Sequence, residues 1–335
     1  MTRLRSVGYR AALRSLADFE RIMVNPPDGE SLLELSSSFV REPARMAEAH
    51  VVEGAELKAV PVAGEREAGF HAFLDGTQRS RVLAYVDGAP IVHATVAAVI
   101  RERVDRRLVV WPGGVRIERL VLASRRALPQ ALWAHLEANF PDLADLDGTD
   151  EPGPSDSHPM LMSERAVHMV QERREALEEQ LAADWCESDG RMLALDGSLK
   201  RHDAVVRSTC ATGIVKSHRT LYVRQEHLVR VLRLQAGERS SVFRLDHSPG
   251  NRPPVASWYL RLRNPSGQDP FWGLVRVEAA DPQAIGESPA DTTLRANRIS
   301  RWILAEVSPL ALPDARWDRM IYPIRDCEEY LRAIA

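Results

Sequence analysis

Residues 70–100 read FHAFLDGTQRSRVLAYVDGAPIVHATVAAVI, and the way this stretch divides decides the fold. It is rich in β-branched and aromatic residues, the composition of strands. Asp87-Gly88 is a good hairpin turn, because Asp and Gly tolerate the positive φ angles of a tight two-residue connection. The segments AGFHAFLDGT, SRVLAYVDG and APIVHATVAAVI therefore read as strands, and RRLVVWPGGVRIERLVLAS continues the series. Turns are expected at the Asp-Gly and Gly-Gly pairs, including Asp75-Gly76 and Gly113-Gly114.

On the N-terminal side, residues 1–60 read as a helical extension. Leu4, Ala11, Leu13, Leu16, Phe19 and Ile22 recur at roughly helical spacing, NPPDGES interrupts them, and a second helix-like stretch covers about 30–49. On the C-terminal side, LPQALWAHLEANF is a helix opened by proline. Residues 141–158, PDLADLDGTDEPGPSDSH, are acidic and nearly free of large apolar side chains, which predicts a mobile loop. A long helix follows from about Ser163 to Trp185, with Ser163 as N-cap and Val167, Val170, Leu177 and Leu181 as its apolar stripe. RMLALDGSL is a strand and turn, and the second half of AVVRSTCATGIVKSHRTLYV is strand-like. SVFRL, SWYLRLR and FWGLVRVEAA read as three further strands, and TTLRANRISRWILAEV and CEEYLRAIA as closing helices. The order predicts a mixed α/β domain over 61–335, a central mixed sheet flanked by helices, with the 1–60 extension assigned to dimer or partner contact. An RNase H-like core suits it: an Asp on the first strand of a hairpin run then lies beside a second Asp on a later strand.

The bulk numbers admit this. The chain has 335 residues, 44% apolar and 27% charged, the composition of an ordinary globular protein. A net charge of -3 excludes a polycationic nucleic-acid coat but not an enzyme with one local basic groove. No apolar run approaches the ~20 residues that span a bilayer. MTRLRSVGYRAALRSL has neither an apolar core nor a cleavage site, so a cytoplasmic location is expected. Cys186, Cys210 and Cys327 are far apart in sequence and read as lone buried thiols.

Two apolar runs end in Asp-Gly followed by a hydroxyl residue: AFLDGT, with Asp75, and LALDGS, with Asp196. Hard divalent cations take carboxylate oxygens in compact clusters. An Asp at a strand end, followed by Gly, offers a fixed oxygen and room for close approach. The helix before Asp196 carries Glu164, Glu172, Glu175, Glu178 and Glu179. At about 100° per residue, Glu178 falls nearest the apolar stripe, with Glu175 as second choice and Arg174 one turn earlier at ion-pair spacing. GIVKSHR places Lys216, His218 and Arg219 just after an apolar strand, where cations can meet phosphates. Arg224, Arg230, Arg233, Arg239, Arg261 and Arg263 make residues 214–263 locally basic. Trp258 and Tyr259 read mainly as core, with base stacking as the alternative. GIVKS lacks the glycine pair of a phosphate-binding loop, which argues against a nucleotide-binding enzyme.

Taken together, FHAFLDGTQRSRVLAYVDGAPIVHATVAAVIRER, LALDGSL, GIVKSHRTLYV, WYLRLR, WGLVRVE and YPIRDCEEYLRAI resemble the NurA nuclease family in its bacterial branch, in that family's order, from about residue 70 to the C-terminus. The resemblance implies an RNase H-like fold, a Mn²⁺- or Mg²⁺-dependent DNA nuclease, and a homodimer. It also implies a partner, a HerA-type hexameric DNA-translocating ATPase, with a role in double-strand break repair by end resection or in anti-phage defence. By motif, Asp75 and Asp196 match the metal-binding aspartates, Glu178 or Glu175 the helix glutamate, and Lys216 the lysine after the strand. Tyr322 and Pro323 match a C-terminal Tyr-Pro, which places Tyr322 with Lys216, His218 and Arg219 on the DNA-contacting side. Many members carry a histidine where this chain has Tyr330; the bacterial branch points instead to Glu328 as the fourth ligand. The competing reading is a catalytically degenerate nuclease-like subunit that scaffolds the ATPase or binds DNA.

Overall fold

The computed structural model describes residues 8–16, 22–24, 43–147, 158–199, 205–223, 225–246, 253–265, 267–307 and 321–335. The opening stretch folds as one long hairpin run: β1 (Ala72–Val86), β2 (Ala89–Val104) and β3 (Arg107–Ala123), all antiparallel. Asp87 and Gly88 both have positive φ and make the first turn as expected. The second turn is Asp105-Arg106, also with positive φ at both residues, and not Gly113-Gly114. That pair lies inside β3. The register jumps from Val99↔Val115 to Arg101↔Val110, so Gly113, at φ +75, takes the strained position of a bulge. Asp75-Gly76 is not a turn either. β1 runs straight through it, with Asp75 opposite Val99 and Gly76 opposite Ala98.

Two short parallel strands extend this run. β4 (Leu193–Asp196) pairs with β1 in the register Ala72↔Leu193 to Leu74↔Leu195, and β5 (Ala211–Val215) pairs with β4 up to Ile214↔Asp196. β6 (Val255–Arg261) and β7 (Leu274–Ala280) follow, β7 antiparallel to β5 and β6 antiparallel to β7. The main order is β3-β2-β1-β4-β5-β7-β6, within a mixed sheet of thirteen described strands.

Besides α1 (Tyr9–Leu16), α2 (Gln130–Asn139) and α4 (Gln225–Leu232), three longer helices cover both faces. α3 (Pro159–Ser188) lies on one face, where Val170, Leu177, Leu181 and Trp185 pack on Ala72, Leu74, Leu193 and Leu195. α5 (Pro289–Glu306) and α6 (Tyr322–Ile334) lie on the other, where Ile299, Ile303, Ile324 and Leu331 pack on Phe73, Ala194 and Ile214. Side chains alternate along a strand, so Asp75 and Asp196 share the parity of Phe73 and Ala194 and lie on the α6 side. Each fully buried aliphatic chain on these helices contributes roughly 1.5–3 kcal/mol, enough to hold charged groups in place at their margins.

Three expectations are corrected. α3 begins at Pro159 with His158 as its cap, the His158 Nδ1 accepting from the Met160 N–H at 3.2 Å. Ser163 sits inside the helix and donates to the Pro159 carbonyl. The first sixty residues are not simply helical. α1 (Tyr9–Leu16) is a helix, but Ile22–Val24 pairs with β1, Arg45–Ala47 pairs in parallel with Thr220–Tyr222, and His50–Val51 and Ala59–Pro61 join the sheet. The start of the acidic segment is ordered: Leu143–Asp145 pairs with β3, and Asp145 and Asp147 accept from the backbone of Arg125 and Arg126. Residues 148–157 of the expected loop lie outside the described residues, as does most of 17–42. No helix among the described residues is long and apolar enough to cross a membrane.

Candidate metal centre

The parallel register brings the two aspartates together. Leu74 faces Leu195, so Asp75 and Asp196 are the next residues along neighbouring strands. β4 stops at Asp196, and Gly197, at φ +108, turns the chain away in a conformation that favours glycine. Asp196 is thus a strand-ending residue as expected, whereas Asp75 is strand-internal and 5% exposed. α6 brings a third carboxylate over them. One oxygen each from Asp75, Asp196 and Glu328 lies within 4.8 Å of the others.

Glu178 approaches from the opposite face. A Cβ built on Gly76 would fall 2.1 Å from Glu178 Oε1, so the glycine after Asp75 leaves the space that the glutamate fills. Glu178 is 3% exposed and ion-paired with Arg174 one helical turn earlier, and Arg174 also donates to Gln78 Oε1 at 3.1 Å. Glu175 belongs to the cleft wall but not to the three-carboxylate cluster. It accepts from Gln171 Nε2 at 2.9 Å and lies 3.5 Å from Arg174.

Lys216 follows β5 and places its Nζ 2.8 Å from Asp196 Oδ1. Glu328 is paired with Arg332, 3.5 Å away and one helical turn later. Burial, the Asp196 carboxylate and, more weakly, Glu178 and Glu328 push the Asp75 carboxyl well above its usual range, against the pull of Lys216. Burial pushes Glu178 up to about 7, although Arg174 opposes it. Three carboxylates in mutual range, one of them buried, form an oxygen-only donor set that suits Mg²⁺, Mn²⁺ or Ca²⁺ and not a soft metal.

No protein-family model matches the chain, and no curated protein matches it.

The carboxylates form the floor of a cleft of about 1010 Å³. Cations line it as well: Arg45, Arg174, Lys216, Arg219, Arg276 and Arg332. Of the expected DNA-side residues, Lys216 and Arg219 belong to this lining; His218 and Tyr322 do not. The His218 ring stacks on Phe271 at 5.3 Å, and its Nε2 is 2.8 Å from the Leu274 carbonyl, so it packs against β7. Tyr322 is the first residue of α6, held half-buried at the start of the helix that carries Glu328.

The arginine-rich run is mostly structural. Arg239 is fully buried and ion-paired with Glu53, and Arg261 is fully buried among the carbonyls of Leu232, Leu234, Pro270 and Trp272. Arg230 pairs with Glu56, and Arg263 donates to the Val307 carbonyl. Arg224 lies outside the described residues. Trp258 and Tyr259 are core residues at 1% and 0% exposure. The sequence did not single out Arg45, Arg276 or Arg332. Arg45 arrives through a parallel pairing with residues 175 positions away, where its Nε donates to Thr220 Oγ1. Arg276, ion-paired with buried Glu278, lies on β7 with its guanidinium 4.9 Å from the Tyr222 ring centre.

Proposed function

We propose that this protein is a metal-dependent DNA nuclease with an RNase H-like core. One observation carries the proposal: three carboxylates, from inside β1, the end of β4 and α6, converge within 4.8 Å in a cleft that cations also line. The strand order β3-β2-β1-β4-β5, with β4 and β5 parallel to β1, supports the core assignment. The resemblance of FHAFLDGTQRS, LALDGSL and GIVKSHR to the NurA family supports the reaction class.

Asp75, Asp196 and Glu328 would hold Mn²⁺ or Mg²⁺, with Glu178 beside them across Gly76. A bound divalent cation supplies Lewis-acid activation of water and neutralises phosphate charge. Lys216 orients Asp196 through the 2.8 Å ion pair and presents a positive charge to a phosphate at the same spot. Arg45, Arg219, Arg276 and Arg332 would steer a phosphodiester backbone over the carboxylates. Backbone contacts carry no base information, so cleavage should show little sequence preference and fall steeply with salt. On the same resemblance, the active form is a cytoplasmic homodimer fed by a HerA-type ATPase, acting in double-strand break repair or phage defence.

Digestion of end-labelled linear DNA with Mn²⁺, Mg²⁺ or EDTA tests the proposal. Wild type should give products with either cation and none with EDTA, and Asp196→Ala should lose activity by roughly 100-fold or more, beyond the 10–100-fold typical of a residue that only supports a ligand. A wild-type protein without metal-dependent products, alone or with a HerA-type ATPase, would favour the scaffold reading.

A further inference from the structure

Cys186 and Cys210 were expected to be lone thiols, and the fold makes them neighbours. Cys186 is on the last turn of α3, and Cys210 directly precedes β5. Their sulfur atoms are 2.9 Å apart, across 24 residues of sequence, and both are free thiols. Ser208 completes the group. Its Oγ is 2.9 Å from Cys210 Sγ and accepts from the Cys210 N–H at 3.2 Å. Cys186 is half-buried and gives small oxidants a route in, whereas Cys210 is 5% exposed. The third thiol, Cys327, is fully buried on the opposite face of the sheet, with its Sγ donating to the Pro323 carbonyl.

We propose that Cys186 and Cys210 form a modification site, a thiol pair that a peroxide converts to an intramolecular disulfide. The geometry sets the pair apart: two free sulfurs already touch, with a hydroxyl on one of them, so closure needs only a small side-chain movement. Cys210 is the better nucleophile, because its contacts with Cys186 and Ser208 hold its thiol below the ordinary range. The Cys210 sulfur attacks one peroxide oxygen, the O–O bond breaks, and hydroxide leaves to take up a proton. The Cys186 thiol then loses its proton, and its sulfur displaces hydroxide from the oxidised Cys210, which leaves as water. Two thiols and one hydrogen peroxide give one disulfide and two waters, the two electrons passing from sulfur to oxygen.

The bond would tie the end of α3, which carries Glu178, to the start of β5, which leads to Lys216. It would close a 24-residue separation and raise thermal stability by restricting the unfolded chain. The inference stands on the thiol geometry alone and does not depend on the nuclease reading.

The test is intact mass and thiol counting on the folded full chain after millimolar hydrogen peroxide. Wild type should lose two mass units and keep one titratable thiol of three, with a Cys186–Cys210 peptide after proteolysis and a melting temperature several degrees higher. Cys186→Ser and Cys210→Ser should each keep their mass free of the two-unit loss, and dithiothreitol should restore three thiols to wild type. Three thiols surviving in oxidised wild type would overturn the proposal. So would a cross-link between two copies on a non-reducing gel, or addition of two oxygens to Cys210 in place of the bond. Because wild type is the primary sample, a serine variant that fails to fold does not affect the result.

Discussion

Asp75→Asn is expected to abolish metal-dependent DNA cleavage and leave the metal-free protein at least as stable as wild type. A buried, hydrogen-bonded carboxylate that served only the fold would show the opposite, because its removal would leave partners unsatisfied. Asp75 has instead been placed where ionisation is disfavoured, by burial and by the carboxylates of Asp196, Glu178 and Glu328. Neutralising it removes that conflict. The amide keeps the oxygen that accepts from the Gly76 N–H at 2.8 Å, and loses the charge that a divalent cation needs. Cleavage should fall by roughly 100-fold or more, past the range expected for a residue that merely supports a ligand. The melting temperature at pH 8 without metal should hold or rise, by on the order of 5 °C. A variant that melts several degrees lower and still cleaves would make Asp75 a structural residue.

The second large effect is on pH dependence. Burial raises the Glu178 carboxyl from an ordinary value of 4.5 to about 7 in the fold. The native state therefore holds this proton more tightly than the unfolded chain. The stabilising difference is fully present below the unfolded value and is lost as pH rises through the folded one. Without metal, stability should fall between about pH 4.5 and 7, by on the order of 3 kcal/mol from this group. Asp75, shifted in the same direction, adds to the slope. A divalent cation stabilises the ionised forms, so saturating Mn²⁺ should raise the melting temperature strongly at pH 8 and little at pH 5. Melting curves across pH, with Mn²⁺ and with EDTA, measure both. A Mn²⁺ effect independent of pH would separate the cation from these carboxyls.

The two aspartates were legible because an apolar run ending in Asp-Gly marks a strand residue beside open space. The sequence did not show which kind of space. Gly197 turns the chain, whereas Gly76 stays in its strand and makes room for Glu178 from the far helix. The same ambiguity misread Gly113-Gly114, because a bulge and a turn need the same backbone freedom. Helix phase put Glu178 nearer the apolar stripe than Glu175, and Glu178 is the buried one of the two. The cationic part of the cleft lining was poorly legible. Charge density along the chain cannot say where each arginine's partner lies: Arg239 and Arg261 turn inward, while Arg45 is carried to the cleft by a distant segment. Cys186 and Cys210 illustrate the same limit, since only the folded chain shows that the end of a helix meets the start of a strand.

Anomalous diffraction from crystals grown with Mn²⁺ tests the central claim most directly. The expected result is a manganese peak among the carboxylate oxygens of Asp75, Asp196 and Glu328, absent from Asp75→Asn crystals grown alike. Wild-type crystals in millimolar Mn²⁺ with no peak at these three residues, or with one only at unrelated surface carboxylates, would contradict it.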